Sequence, residues 1–311
     1  MTEIAQKVGV CKSTISRELK RNTPQRGVNA KIYDPVRAQM KATQRKLSNR
    51  RHECFTEKMK QYMRTRMKED RWSPEIISVK GREELGGFVS HETIYQYLWR
   101  AKQSHHREFR TDKKLYKYLR HSRRRRKRGA YHDNRGCIPN RTGIEHRPEV
   151  ANNRERLGDL EVDIMIGANK KPGLLITVDR KSLKTTMTKL SSKKAIYIAH
   201  KLVNRLLANG KYCTLTFDND LAFAQHEYVA KILNVSTYFT RPYSSQDKGS
   251  VENRIGTIRA FIPKGTSIEN MHPQTIKAIE RKINSRPVRK FNYLSSFEYT
   301  NQLLKTVALA T

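Results

Sequence analysis

The sequence predicts a multidomain protein, with all-α helix-turn-helix units first and an α/β domain built on a mixed five-stranded sheet after them. Three observations predict it. Helical periodicity with turn glycines fills most of the first hundred residues. A dense basic stretch follows. From residue 157 the apolar residues change to strand spacing, and helices then alternate with strands. At 311 residues the chain allows two domains and a small third.

Charge narrows the partner. The formal net charge is +35, from 64 Lys+Arg against 29 Asp+Glu, and +22 of it lies in residues 1–150. Such a surface suits nucleic acid better than a small acidic substrate, with a cationic surface or ribosome-associated protein as the bland alternative. Cys11, Cys54, Cys137 and Cys213 are far apart with no CxxC pair, which argues against a zinc site or disulfide framework. No signal peptide opens the chain and no apolar run approaches the roughly 20 residues that span a bilayer. The expectation is a reduced cytoplasmic protein, working on the nucleoid if the host is bacterial, with no membrane and no small-molecule substrate.

Residues 1–22 read as a helix-turn-helix. Ile4, Ala5 and Val8 form one apolar stripe, Gly9 supplies the turn, and Ser13 is placed to cap a second helix built on Ile15 and Leu19. The exposed side of that helix offers Lys12, Thr14, Arg17, Lys20 and Arg21 to a major groove. A two-helix piece buries too little surface alone. The start therefore lies upstream of Met1, or the product is shortened, or a later segment covers the apolar face. Residues 23–52 read as a basic, partly helical linker.

Residues 53–100 form a second helix-turn-helix-like unit. Ser73 and Pro74 start one helix, Gly86-Gly87 turns the chain, and Ser90 caps another whose stripe is Ile94, Tyr95, Leu98 and Trp99. A plain helical core explains this unit nearly as well. Residues 101–152 read as a basic arm. Its run Arg123, Arg124, Arg125, Arg126, Lys127 and Arg128 is expected on DNA backbone or minor groove, adding affinity rather than sequence choice.

Residues 153–311 hold the predicted sheet. Strands are expected at 160–167, 174–179 and 185–190, a helix at 194–208, a strand ending at Asp218, a helix at 222–234, a short strand VSTYFT, and a helix carrying Glu252 to about 261. Further helix closes the chain.

Three acids stand out in this basic, apolar frame. Asp163 sits mid-strand between Val162 and Ile164, where an unpaired carboxylate costs stability. Asp159 and Glu161 alternate with it and share its face, as accessory acids of a site or as salt partners of nearby Arg. Asp218 ends a strand, the usual place for a site in such sheets, with an Asx turn as its bland reading. Glu252 lies on a late helix, with Arg259 two turns on and on the same face. Three acids from three elements suit two Mg²⁺ or Mn²⁺ ions working on phosphates.

The ordered series of motifs resembles the transposases of the insertion-sequence family numbered thirty. TEIAQKVGVCKSTISRELKRN, WSPEIISVKGREELGGFVSHETIYQYLW, RLGDLEVDIMIG, FDNDLAFAQHEYVA, RPYSSQDKGSVENRIGTIRAFIPKG and INSRPVRK follow in family order over nearly the whole chain, with 33 residues between Asp218 and Glu252. The resemblance implies a ribonuclease-H-like catalytic core. It also implies that Asp163, Asp218 and Glu252 are catalytic and bind two metal ions, that the helix-turn-helix units read terminal inverted repeats in double-stranded DNA, and that the enzyme cleaves transposon ends and joins them to target DNA as a homo-oligomer. Arg259 matches the basic residue that follows the Glu. The chain departs from the family pattern at Leu160, Val162, Asp220 and Ala222. The rival readings are a truncated or decayed copy acting only as a DNA-binding regulator, and a ribonuclease-H-like nuclease or viral integrase.

Overall fold

The structure is a computed structural model, described over residues 1–26, 30–48, 55–104, 106–120, 138–168, 173–208, 210–241 and 244–309. The chain divides into two compact units, Met1–Thr56 and Glu57–Thr311.

In the first unit, α1 (Thr2–Val8) and α2 (Lys12–Asn22) form the helix-turn-helix, and α3 (Pro35–Ser48) packs on α2. Gly9 takes the left-handed conformation at φ 71°, a turn a side chain would strain. The helix begins earlier than its sequence suggests. Cys11, not Ser13, sits at the N-cap of α2, and its carbonyl accepts from Thr14 and Ile15. Lys12, Thr14, Arg17, Lys20 and Arg21 are all exposed, as expected. Asp34 caps α3 through the amide of Val36 at 2.9 Å, and Arg45 of α3 reaches Asn22 of α2 at 3.0 Å. A later segment thus supplies part of the cover the first two helices need, though Ile4, Val8, Val36 and Met40 remain exposed.

In the second unit, α4 (Glu57–Glu69), α5 (Pro74–Leu85) and α6 (His91–Gln103) pack around Met63, Met67, Ile77, Ile94 and Leu98, all 1 % exposed or less. Gly86 ends α5 at φ 73°, and Ser90 caps α6 through Thr93. The inner stripe of α6 differs from the expected one. Tyr97 takes a buried position, with its hydroxyl on Asp112, while Trp99 is exposed and stacks on Tyr116. Asp112 explains the choice. Its fully buried carboxylate needs partners, and Arg64 and Tyr97 supply them. Burial works to raise this carboxyl, but Arg64 and Tyr97 outweigh it and hold it below the usual range.

Residues 106–120 therefore pack with the helices, and residues 138–152, with α7 (Glu149–Asn152), pack against the sheet. Both stretches were expected in a basic arm. Instead Leu115 and Ile138 are buried, and Gly143 bridges to Phe239. The run Arg123–Arg128 lies outside the described residues.

The sheet has five strands in the order β3-β2-β1-β4-β5. They are β1 (Asp159–Met165), β2 (Leu174–Asp179), β3 (Thr185–Lys189), β4 (Thr214–Phe217) and β5 (Ser236–Phe239). The first three pair antiparallel, while β4 and β5 run parallel to β1. This is the ribonuclease-H-like arrangement that the resemblance implies. One face, through Leu160, Val162 and Leu215, packs on α8 (Ala195–Leu207) and α9 (His226–Leu233). The other, through Met165, Ile176 and Val178, packs on α10 (Gly249–Ile258) and α11 (Pro273–Asn284). The last helix is α12 (Ser296–Leu309). Among the described residues no helix is long and apolar enough to cross a membrane.

Candidate active site

The register of the sheet brings two of the three acids together. Glu161 of β1 pairs with Thr216 of the parallel strand β4. Two residues further along each strand, the same register sets Asp163 level with Asp218, at the carboxyl ends where such sheets build sites. Strand alternation turns Asp159, Glu161 and Asp163 to the α10 side of the sheet.

A single ammonium joins the pair. Lys248, at the N-cap of α10, is 6 % exposed. Its Nζ lies 3.4 Å from Asp163 Oδ2 and 3.6 Å from Asp218 Oδ2, and donates to the carbonyl of Val162 at 3.3 Å. About a third of the Asp218 side chain is exposed, yet its Oδ1 is buried and has no hydrogen-bond partner among the described residues. Burial pushes the Asp218 carboxyl up. Lys248 pulls it down, and Asp163 and Asp220 add to the rise.

Beneath this pair the acids are fully answered. Asp159 accepts from Thr214 and from both Arg156 nitrogens, at 2.7–3.2 Å. Glu161 takes the Arg180 guanidinium on Oε1 and the amide of Val251 on Oε2, the latter at 2.8 Å. Val251 lies in the first turn of α10, so Glu161 satisfies an N-terminal amide of the helix that carries Glu252. Arg180 is held in turn by the carbonyls of Ala151 and Asn152 at 2.9 and 3.3 Å. Arg147 donates to Thr216 and Asn152, and burial with the nearby Arg180 pushes its guanidinium down to about 10. Of the two readings open for Asp159 and Glu161, they take that of salt partners.

Glu252 stands in the first turn of α10, on the exposed side. Among the described residues no three His, Cys, Asp or Glu side chains gather into a metal cage. The structure therefore brings Asp163 and Asp218 onto one cation, and sets Glu252 in the first turn of the helix that Lys248 begins. Arg259, which ends α10, donates to the carbonyl of Ile166 at 2.9 Å and so ties the helix to the end of β1.

The family departures have local explanations. Asp220 has φ −82°, so nothing there requires glycine, and its carboxylate caps the next turn through Ala222 at 3.0 Å. Ala222 packs against the core. Both line a cleft of about 320 Å³ with Ile164, Lys193 and Leu221.

The donor set suits a divalent cation. Two hard carboxylates converge from neighbouring strands, one oxygen lacks a partner, and the position already draws a positive charge. Sequence reading does not reach Lys248. Its only signal there is its place four residues before Glu252, at the start of the helix.

Comparison with known proteins decides the family. The transposase for insertion sequence element IS4351 of Bacteroides fragilis is 40 % identical over 309 residues, 99 % of this chain and 91 % of the relative. The chain belongs to the transposases of the insertion-sequence family numbered thirty. Further transposases agree. That of IS1086 from Cupriavidus metallidurans is 29 % identical over 97 % of this chain and 88 % of its own length. The InsI transposase of IS30A from Escherichia coli K12 is 29 % identical over 90 % and 73 %. The catalytic core of BIV integrase aligns with 49 % of this transposase and 98 % of itself, at 17 % identity and a TM-score of 0.38. No protein-family model matches the chain.

Proposed function

We propose that this transposase binds the terminal inverted repeats of its element and carries out metal-dependent cleavage and strand transfer as an Asp-Asp-Glu polynucleotidyl transferase. The observation that carries the reading is the pair Asp163–Asp218, drawn onto one cation at the carboxyl ends of β1 and β4, with Asp218 Oδ1 unanswered.

Asp163 and Asp218 are the residues to hold two Mg²⁺ or Mn²⁺ ions, with Glu252 completing the set as the DNA strand docks. Bound there, the ions supply Lewis-acid activation of water or a DNA 3′-hydroxyl and stabilise the leaving oxygen. With ions held there, Lys248 would no longer be needed to neutralise the acid pair, and its ammonium would be available to a phosphate oxygen. Glu161 and Arg180 fix the start of α10, which sets where Glu252 stands. Arg259 anchors the other end of α10 to β1. A helix pinned at both ends keeps the three carboxylates in step.

Lys12, Thr14, Arg17, Lys20 and Arg21 present the face that enters a major groove. The 123–128 run and Arg259 add backbone affinity. Double-stranded transposon ends and target DNA are the partners, the protein working as a homo-oligomer on the nucleoid. The reading of a copy that only regulates rests on the departures at Asp220 and Ala222, which serve local packing and capping in the fold.

The test uses purified protein, Mg²⁺ or Mn²⁺, and a labelled DNA end carrying the inverted repeat. Metal-dependent nicking at the end, lost in Asp163→Asn, Asp218→Asn and Glu252→Gln, supports the enzyme. Binding without cutting at any metal concentration returns the regulator reading.

A further inference from the structure

The helices over 57–120 meet the catalytic core through arginines that outnumber the acids among the described residues around them. Arg254, on α10 two residues after Glu252, is 5 % exposed. Its Nη2 donates to Ser296 Oγ at 2.5 Å, while its Nε is buried and without a partner among the described residues. Arg286, just past α11, donates from Nη1 to the carbonyl of Arg71. Arg71 has a buried Nε of its own with no partner among the described residues, and its guanidinium lies 4.3 Å from the centre of the Tyr118 ring. Arg120 reaches α10 through the carbonyl and side-chain oxygens of Asn253, at 3.5 and 3.3 Å. Its Nη2 also fills the space beside Gly256, where an added Cβ would stand 3.0 Å away.

These cations feel one another. Burial and the charge of Arg120 push the Arg286 guanidinium down to about 10, and Arg286 in turn acts on Arg254 through its charge. The carboxylate that acts on Arg286 is Asp70, and it is already shared by Arg66 at 3.1 Å and Lys282 at 3.4 Å. Buried guanidinium groups without counter-charge are costly, and a fold keeps them where an anion answers them. The planar fork of arginine matches a phosphate.

We propose that Arg71, Arg120, Arg254 and Arg286 form an anion site for a phosphodiester of the DNA strand that passes α10. Arg120 is exposed and Arg71 and Arg286 are half-buried, so they form the open side, and Arg254 forms the floor. That the anion is DNA rests on the transposase reading; that an anion binds does not.

Two arms test the site on the full chain. In the first, thermal unfolding of metal-free protein is followed against inorganic phosphate, with chloride at matched ionic strength. A saturable rise in Tm is expected for the wild type and its loss in Arg286→Gln and Arg254→Met. Arg120→Gln, on the exposed side, keeps the test alive if a buried variant fails to fold. Phosphate also stabilises proteins by exclusion, so an equal rise in wild type and variants overturns the site. In the second arm, log affinity for an end duplex is plotted against log salt. Arg120→Gln and Arg286→Gln are each expected to flatten the slope by about one unit. A phosphate effect with unchanged DNA slopes overturns the DNA assignment. Failure of the wild type to bind DNA at all counts against the transposase reading and leaves the phosphate arm to decide the site.

Discussion

The two ends of the β1–β4 pair use the same residue types in opposite ways. At the inner end, Asp159 and Glu161 are fully buried and both oxygens of each are bonded, with a guanidinium for each acid. At the carboxyl end, Asp163 and Asp218 share one ammonium, and one oxygen has no partner among the described residues. Three acids alternating on one strand are therefore not one cluster. The first two are satisfied by the fold and hold it, and the third shares a single ammonium with Asp218. The difference lies in the supply of cations, not in the carboxylates themselves.

This contrast predicts opposite consequences for similar substitutions. At the mouth, Asp163→Asn or Asp218→Asn should lower end cleavage by about a thousandfold or more, since several kcal/mol of transition-state stabilisation are at stake and each 1.36 kcal/mol is tenfold. Far-ultraviolet circular dichroism should stay unchanged. At the inner end, Glu161→Leu should instead cost roughly 3–5 kcal/mol in urea unfolding, because it strands the buried Arg180 and frees the amide of Val251. Activity would fall with it, as the start of α10 loosens. If Glu161→Leu unfolds like wild type, the inner acids are not structural.

Smaller effects sharpen the picture. Lys248→Met leaves the acid pair without its cation. Unfolding of the metal-free protein should weaken by about 1–3 kcal/mol, and Mn²⁺ should restore more stability to the variant than it adds to the wild type. Equal Mn²⁺ effects would show that the ammonium and the metal do not compete. The smallest change is expected away from the sheet. Arg17→Ala or Lys20→Ala on α2 should flatten the salt dependence of end binding by about one unit for each phosphate no longer neutralised, with cleavage of saturating DNA little altered.

The strands along the chain and the places of Asp163, Asp218 and Glu252 within their elements were legible because each rests on local pattern: alternation, a strand end, a helical stripe. Their convergence was legible only in part, because it depends on the parallel register of β1 and β4. Pairings between distant segments were not legible. Lys248 meets Asp163 across 85 positions, and Glu161 meets Val251 across 90. Nothing in periodicity links them. On α6, spacing favoured Trp99 over Tyr97, and a buried Asp112 needing a hydroxyl reversed the order. On α2, Ser13 has the better capping chemistry, yet the turn at Gly9 starts the helix sooner and gives the N-cap to Cys11. The stretch 138–152 looked like linker because its anchors, Ile138 in the core and Arg147 on Thr216, are single residues.

Mn²⁺ binding measured by electron paramagnetic resonance, with an inverted-repeat duplex present, addresses the acid pair most directly. The wild type should take up two ions per active site, Asp163→Asn and Asp218→Asn should lose that uptake, and Glu161→Gln, if folded, should keep most of it. Uptake unchanged by both aspartate substitutions would contradict a metal site at the carboxyl ends of β1 and β4.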